Sequence, residues 1–426
     1  MIQISRRHLI QLIGASAGTA GLGLTVGCAP SAPQSAGNRA GNAFGLAAWS
    51  LNEEASQPVI EAMIAEYTKS ADVSIDTASY PYDEYLNQMT LQIRGGQFTG
   101  LAQLDIAWIG VLAALGKLRD LSDVADGAGY TESALASGQV DGQQLGLPWT
   151  TGAIGLIGNF ELLEAAGVDD APTTIEEFER ALQAIKDSNP DVVPYAASTK
   201  VAQLKDVLVW METFGSPLLD GDTATIGDDA SIEAVTWYKS LYDRKLIAPA
   251  VDRFDARALF SQAGTALYDD AIVGKAAVAS TSSDPDLASK LVPWSRPVLN
   301  AGDDPRALLW GHLLVVVDGE GADAAAEMAR ALTADAEVSI PYFEALSLPP
   351  TTTEALKDPT VTGDEFTTAF TEKITATATA NPFWKYPEYA QMEAAIAEQV
   401  QAVLVDQASP ADAMRAAGET VQGLIQ

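Results

Sequence analysis

Tryptophan residues near the ends of predicted strands are the first candidates for a binding site. The chain has eight tryptophans, although aromatic residues make up only 7% of its length. Four of them, Trp49, Trp108, Trp149 and Trp310, fall at or beside predicted strand ends. An indole ring can stack on the apolar C–H face of a sugar while nearby polar groups bind the hydroxyls. These four side chains are candidates for a carbohydrate site, and core packing is the alternative for each.

Polar side chains close to the same strand ends could supply the hydrogen bonds of such a site. The candidates are Asn52, Glu53, Tyr82, Asp83, Thr151, Asp269 or Asp270, Gly311 and His312. Glycine at position 311 would let the backbone come close to a ligand. Ordinary solvation of loop residues is the alternative, and His312 could equally be a satisfied histidine of the core.

The residues that most enzymes need are scarce in this chain. Its two histidines are His8 and His312, and its one cysteine is Cys28. A zinc site with several histidines therefore requires His8, and no Gly-Lys-Ser/Thr loop for nucleotide phosphates is present. We predict a protein without metal, cofactor or catalysis. A glycosidase using Glu53 and Asp270 is the enzymatic alternative, but acidic residues are too numerous for one pair to be informative.

The first 27 residues are typical of an export signal. Arg6 and Arg7 precede an apolar stretch, residues 9–27, that ends at Cys28. The paired arginines resemble a twin-arginine signal, and an ordinary secretion signal is the alternative. Residues 24–28 resemble a bacterial lipobox, in which the cysteine carries a lipid. We therefore predict a lipoprotein anchored through Cys28 at the outer face of the cytoplasmic membrane.

The composition after Cys28 predicts a flexible linker followed by a water-exposed domain. Residues 28–42 are rich in Ala, Pro, Ser, Gly and Asn, which provide little apolar bulk for packing. No later stretch reaches the roughly 18 apolar residues of a membrane-spanning helix. The formal net charge of −32 argues against binding to nucleic acid or to anionic lipid surfaces, since both repel a polyanion.

Strand and helix patterns alternate along the rest of the chain. Apolar runs at 44–49, 104–109, 153–157 and 313–317 predict buried strands. Helical periodicity lies between them, and Thr173 or Thr174 is placed to cap a helix whose third residue is acidic. This alternation favours an α/β fold with mostly parallel sheets, whose ligands bind beyond the carboxyl ends of the strands.

Several blocks, in order, resemble the extracellular solute-binding proteins of carbohydrate ABC importers, from about Phe44 to Pro350. The resemblance rests on residues 104–109, 118–121, 145–152, 159–178, 230–247, 260–275 and 346–350. Each block alone is weak, but their order and spacing match those of the family. Trp149 stands where the family often has tyrosine, and residues 271–273 lack an aromatic that is frequent there.

The resemblance implies a two-lobed periplasmic-binding-protein-like fold, in which two α/β lobes close over a solute at a hinge. The implied N-terminal lobe comprises residues 43–148 and 311–347, and the C-terminal lobe comprises 149–310 and 348–426. The implied partners are a mono- or oligosaccharide and the permease subunits of an importer, bound by a monomer. A polyamine or another small solute is the alternative ligand, and solute sensing is the alternative to transport.

Overall fold

The computed structural model describes residues 42–425. The predictions for the export signal, for Cys28 and for nearly all of the linker therefore lie outside the described residues. Strands and helices alternate through the described part of the chain, as the sequence predicts for an α/β fold.

The bounds of these elements are as follows. The strands are β1 (Ala43–Ala47), β2 (Ser74–Ala78), β3 (Gly100–Asp105), β4 (Gln139–Val140), β5 (Gln143–Gln144), β6 (Gly146–Asn159), β7 (Val193–Ala196), β8 (Leu219–Asp220), β9 (Thr223–Ala224), β10 (Thr265–Asp270), β11 (Leu291–Trp294), β12 (Ala307–Val317) and β13 (Ala378–Thr379). The helices are α1 (Gln57–Ser70), α2 (Tyr82–Arg94), α3 (Ile109–Ala113), α4 (Ser122–Ala125), α5 (Glu132–Ala136), α6 (Phe160–Ala165), α7 (Ile175–Ser188), α8 (Val207–Thr213), α9 (Asp229–Asp243), α10 (Arg253–Ser261), α11 (Gly274–Thr281), α12 (Ala322–Ala334), α13 (Ala336–Leu346), α14 (Pro359–Thr362), α15 (Glu365–Lys373), α16 (Tyr389–Leu404) and α17 (Pro410–Leu424).

Nine of the strands in residues 42–425 form one hydrogen-bonded sheet. Its main path is β2-β1-β3-β12-β6-β10-β7, with β11 added to β6 and β13 added to β12. The pairs of β1 with β2, β1 with β3, and β7 with β10 are parallel, as the sequence predicts. The central pairs made by β6 and β12 with β3, β10, β11 and each other are antiparallel, so the sheet is mixed.

The two long strands β6 and β12 join two groups of strands. Residues 312–317 of β12 pair with β3, whereas residues 155–159 of β6 pair with β10 and β11. Between these groups the two long strands pair with each other, and Thr151 lies opposite Gly311. Their register shifts after His312, and β12 also pairs with β13 at residues 307–308. A third segment, which contains Pro349, runs beside them. The Thr150 hydroxyl donates to the Pro349 carbonyl at 3.0 Å.

The core is built around strands that are buried on both faces. Every residue of β3 and β10 is buried, as are residues 311–317 of β12. Helix α7 packs Phe178, Leu182 and Ile185 inward, one turn apart along its length. None of the helices in the described range is long and apolar enough to cross a membrane.

Several local predictions are confirmed. Thr174 caps α7, since its hydroxyl accepts the backbone N–H of Glu177 at 3.3 Å and the Glu177 carboxylate accepts the backbone N–H of Thr174. The predicted strands at 153–157 and 313–317 lie within β6 and β12. The first apolar run forms β1, which ends at Ala47 before Trp49 enters a 3-10 turn.

Two local predictions differ from the structure for identifiable reasons. The strand predicted at 104–109 stops at Asp105, because the Asp105 carboxylate accepts the backbone N–H of Ala107 at 2.9 Å and turns the chain into a 3-10 helix. Tyr82, expected in a loop, is the first residue of α2, directly after Pro81. The fixed φ of proline suits the start of a helix.

Candidate ligand-binding site

A cavity of about 460 Å³ lies beside the point where β6 and β12 cross between the two strand groups. It brings together residues that are distant in sequence, from the turn after β1, from α2, α10 and β10, and from β12. Seven of the residues singled out from the sequence line it: Trp49, Asn52, Glu53, Tyr82, Asp270, Trp310 and His312. A cavity of this size can hold a small solute.

A second cavity of about 560 Å³ adjoins the first. The two share Tyr82, Gln203 and Phe254 on their walls, so they lie next to each other and together make up the cleft. Asp83 and Trp108, also singled out from the sequence, line this second part. The cleft is therefore longer than the first cavity alone.

Aromatic rings form one wall of the cleft. The ring of Trp49 lies 5.5 Å from that of Tyr82, 5.4 Å from that of Trp108 and 4.9 Å from that of His312, and the Trp310 ring lies 4.6 Å from His312. Trp49 and Trp108 are buried, so they support the wall from behind. Tyr82 and Trp310 are only half-buried and offer ring surface to the cleft.

Tyr82 is held in place by a carboxylate at the end of β3. Its hydroxyl donates to Asp105 Oδ2 at 2.8 Å, while Asp105 Oδ1 accepts the backbone N–H of Ala107. Burial and the neighbouring Asp105 carboxylate both raise the pKa of Tyr82, so the hydroxyl stays protonated. The ring is thereby presented at a fixed angle, which favours stacking of a flat ligand.

His312 is held from three sides. The rings of Trp49 and Trp310 pack against it, and the side-chain amide of Gln103 lies 3.2 Å from its Nδ1 atom. Gln103 also donates to the Ser50 hydroxyl at 2.8 Å. Burial lowers the pKa of His312 to about 3, so its ring is neutral at physiological pH.

Helix α10 supplies a wall that the sequence analysis missed. Asp252 caps the helix by accepting the backbone N–H of Asp255 at 3.0 Å, which places Arg253, Phe254 and Arg257 at the cleft. Arg253 and Arg257 are four residues apart and so share one helix face. That spacing, directly after a capping sequence, is the signal that could have identified them.

Both arginines of this helix are paired with carboxylates. Arg257 donates through Nε and Nη2 to the two oxygens of Asp270, at 2.6 and 2.9 Å. Arg253 donates to Asp206 Oδ2 at 2.5 Å, and its buried Nε has no hydrogen-bond partner within residues 42–425. Asp270 therefore positions Arg257 and has little accepting capacity left for a ligand.

Phe254 is the most exposed aromatic side chain of the cleft. Its exposed fraction is 47%, and the guanidinium of Arg257 lies 5.4 Å from the centre of its ring. An exposed apolar ring inside a cleft is a ready stacking surface. Phe254 lies where the two cavities meet, so a ligand in either one could contact it.

Glu53 brings a carboxylate to the same cavity from the turn that follows β1. Among the described residues, the Glu53 carboxylate accepts one hydrogen bond, from the Ser56 hydroxyl at 3.4 Å. Burial raises the pKa of Glu53, and the opposing attraction of Arg257 only partly offsets this. The side chain thus has accepting capacity for ligand hydroxyls.

We expect Glu53→Gln to stabilise the ligand-free protein at pH 7 and to lose this advantage on acidification. Because the folded-state pKa is raised, the cost of the buried charge is fully present above that pKa and disappears as the carboxyl is protonated. Melting temperatures measured from pH 7 to pH 4 would test this. Glu54→Gln is the matched control. The assignment would be contradicted if the melting temperature of E53Q differed from that of the wild type by the same amount at both pH values.

Two predicted ligand contacts lie in the protein interior instead. Trp149 has an exposed fraction of only 4% and stacks on Tyr342, with ring centres 4.9 Å apart and planes 5° apart. Asp269 binds Arg296 at 2.6 Å and accepts the Tyr195 hydroxyl. Neighbouring strand residues point to opposite faces, so Asp269 turns away from the cavity that Asp270 faces.

Thr151 and Gly311 lie opposite each other where β6 and β12 cross, but neither lines the two cavities. A Cβ atom on Gly311 would come within 2.6 Å of the Thr150 carbonyl oxygen. The glycine is therefore required by the close approach of two backbones rather than by a ligand.

No group of three or more His, Cys, Asp or Glu side chains within residues 42–425 is placed to hold a metal ion. The cleft instead combines stacked aromatic rings with separate hydrogen-bond donors and acceptors. Such an arrangement can bind a polar solute that also has apolar faces.

Comparison with known proteins defines the class of protein to which this cleft belongs. The profile of a family described as bacterial extracellular solute-binding protein matches residues 62–369, more than half of the chain. The chain belongs to this family. No curated protein sequence matches it.

Solved structures show the fold. The GacH receptor of Streptomyces glaucescens, solved without ligand and with acarbose, is 22% identical with a TM-score of 0.81, over 90% of this chain and 98% of that one. Maltose-bound MalE3 of Thermotoga maritima is 19% identical with a TM-score of 0.80, over 90% and 99% of the two chains. A solute-binding protein of Thermotoga lettingae bound to tagatose is 20% identical with a TM-score of 0.80, over 90% and 100%. The fold is that of two-lobed solute-binding proteins.

Proposed function

We propose that this protein is the receptor of an ABC importer and captures a mono- or oligosaccharide in its cleft. The observation that carries the proposal is that two half-buried rings, Tyr82 and Trp310, and the exposed ring of Phe254 share the cavity walls with separate polar groups. Sugars need both kinds of contact. Family membership and the sugar ligands of the three similar structures support the same class of solute.

The proposal includes how the solute is held and released. Residues 43–148 and 311–347 would form one lobe, and residues 149–310 and 348–426 the other. Ligand contacts from Tyr82 and His312 on one side and from Phe254 on the other would favour the closed state. The closed receptor, acting as a monomer and without catalysis, would then deliver the solute to permease subunits. Cys28 would carry a lipid that anchors the protein to the outer face of the cytoplasmic membrane.

A thermal-shift screen would test the proposal directly. Maltose, longer maltodextrins and simple hexoses would be compared with spermidine and amino acids, because a ligand that binds only the folded state raises the melting temperature. A dose-dependent rise with one sugar class, without consumption of that sugar, is the expected result. A rise with spermidine alone would overturn the sugar assignment, and slow consumption of a sugar would indicate an enzyme.

The anchor needs a separate experiment in cells. Cys28→Ala should release the protein from the membrane fraction without changing its affinity for solute, because the cleft lies within residues 42–425. Retention of C28A in the membrane fraction would contradict lipid attachment at that residue.

A further inference from the structure

A fixed hydrogen-bond network connects Ser50, Gln103 and His312 behind the aromatic wall. Gln103 lies on β3 and His312 on the neighbouring strand β12, two residues from the position directly opposite Gln103. All three residues are buried, with exposed fractions of 2%, 1% and 6%. His312 nevertheless lines the cavity. Part of its ring therefore borders the cleft.

The backbone of Ser50 determines which way the Gln103 amide points. The Ser50 N–H can only donate, and it lies 3.2 Å from Gln103 Oε1, so this atom must be the carbonyl oxygen. The Gln103 NH₂ group is then directed at the Ser50 hydroxyl and at His312 Nδ1, which are 2.8 and 3.2 Å away. Because an NH₂ group only donates, Nδ1 must be an acceptor without a proton.

We propose that Gln103 holds His312 in the tautomer protonated at Nε2, so that the ring offers a fixed, uncharged N–H donor to an oxygen of the bound solute. Nε2 makes no hydrogen bond to any residue in the range 42–425, which leaves it for the ligand. Gln103 is a positioning residue, and His312 makes the contact. This inference rests on the proposed function and specifies how the site recognises a hydroxyl or ether oxygen.

The surroundings of His312 support this assignment. Asp105 on β3 lies directly opposite His312, and its carboxylate accepts the Tyr82 hydroxyl of α2 and the Ala107 N–H. Within residues 42–425, Gln103 is the hydrogen-bond partner of Nδ1. The low pKa that burial gives His312 keeps the ring neutral well below pH 7. The charged side chains that line the same cavity are Glu53 and Glu54 after β1, Asp270 on β10, and Arg253 and Arg257 on α10.

A fixed donor also distinguishes between classes of ligand. A sugar hydroxyl or ring oxygen has lone pairs that can accept from Nε2–H, whereas a protonated amine has none. An ammonium group placed against Nε2–H would leave two donors facing each other. The His312 ring therefore favours a polyhydroxy solute over a polyamine.

Nitrogen-15 NMR of the ligand-free protein would test the tautomer. In the full chain carrying His8→Gln, His312 is the remaining histidine, so its ring nitrogens need no assignment. We expect protonated Nε2 and unprotonated Nδ1 at pH 7. Gln103→Glu, which replaces the donor with an acceptor of the same shape, should protonate Nδ1. A wild-type ring protonated at Nδ1, or at both nitrogens, would overturn the proposal whatever the ligand.

Two substitutions of similar size would test the ligand contact. His312→Gln can place an amide N–H near the former Nε2 position, whereas His312→Asn reaches only the Nδ1 position. With maltose or a maltodextrin as the titrated probe, we expect H312N to weaken binding about ten-fold or more and H312Q to recover most of that loss. Equal affinities in the two variants would refute the contact. If the wild type bound no sugar, the proposed function would fail, while the NMR result would still decide the tautomer.

Discussion

Phe254→Ala should weaken sugar binding about ten-fold or more while leaving the folded protein almost as stable as the wild type. The side chain is 47% exposed and projects where the two cavities meet. Removing a stacking face costs about 1–3 kcal/mol of binding free energy. An exposed side chain contributes little to the core, so the free energy of unfolding should change by about 0.5 kcal/mol or less. Isothermal titration and chemical denaturation would measure the two effects.

Phe160→Ala is the matched control for this experiment. Phe160 has an exposed fraction of 44%, close to that of Phe254, but it begins α6 and lines neither cavity. We expect F160A to bind sugar with wild-type affinity. Equal losses in the two variants would show that the effect of F254A is not local to the cleft, and an unchanged affinity of F254A would remove α10 from the site.

Trp149→Ala should have the opposite effect, a large loss of stability with little direct change in affinity. The ring is 4% exposed and lies flat against Tyr342. It also borders a small interior void of about 10 Å³ near Ile60 and Met63, which is separate from the cleft. Truncating a buried tryptophan to alanine typically costs about 3–5 kcal/mol. Chemical denaturation would measure the loss, and titration would be done under conditions in which the variant remains folded.

Trp149→Phe serves as the control, because phenylalanine can keep much of the stacking on Tyr342 and should restore most of the stability. The assignment of Trp149 to the core would be wrong if W149A remained as stable as the wild type but bound sugar at least ten-fold more weakly. That result would return Trp149 to the cleft, where the sequence pattern places it.

The sequence predicts the fold better than it predicts the site. Alternating strand and helix patterns indicate an α/β protein, and the sequence predicts that Thr173 or Thr174 caps α7, of which Thr174 does so. The mixed sheet does not follow in the same way. An apolar run such as 313–317 predicts burial, but it contains nothing that specifies whether β12 pairs parallel or antiparallel with β3.

Side-chain direction explains which of the predicted site residues line the cleft. Asp269 and Asp270 are equivalent in the sequence, and only the pleat of β10 separates the residue that binds Arg296 from the one that binds Arg257. Trp149 and Trp310 both lie on crossing strands, yet Tyr342 of a distant helix covers only the first. These outcomes depend on contacts between residues far apart in the chain, which no local pattern contains.

The pairing of charges inside the cleft has a consequence for the range of salt concentrations in which the protein can work. The chain carries a formal net charge of −32, but the cavity lining balances Glu53, Glu54 and Asp270 with Arg253 and Arg257. Dissolved ions screen exposed charges beyond about 8 Å at physiological ionic strength and act little on short contacts in a nearly neutral cleft. A neutral solute would therefore be captured with nearly the same affinity in dilute and in brackish water.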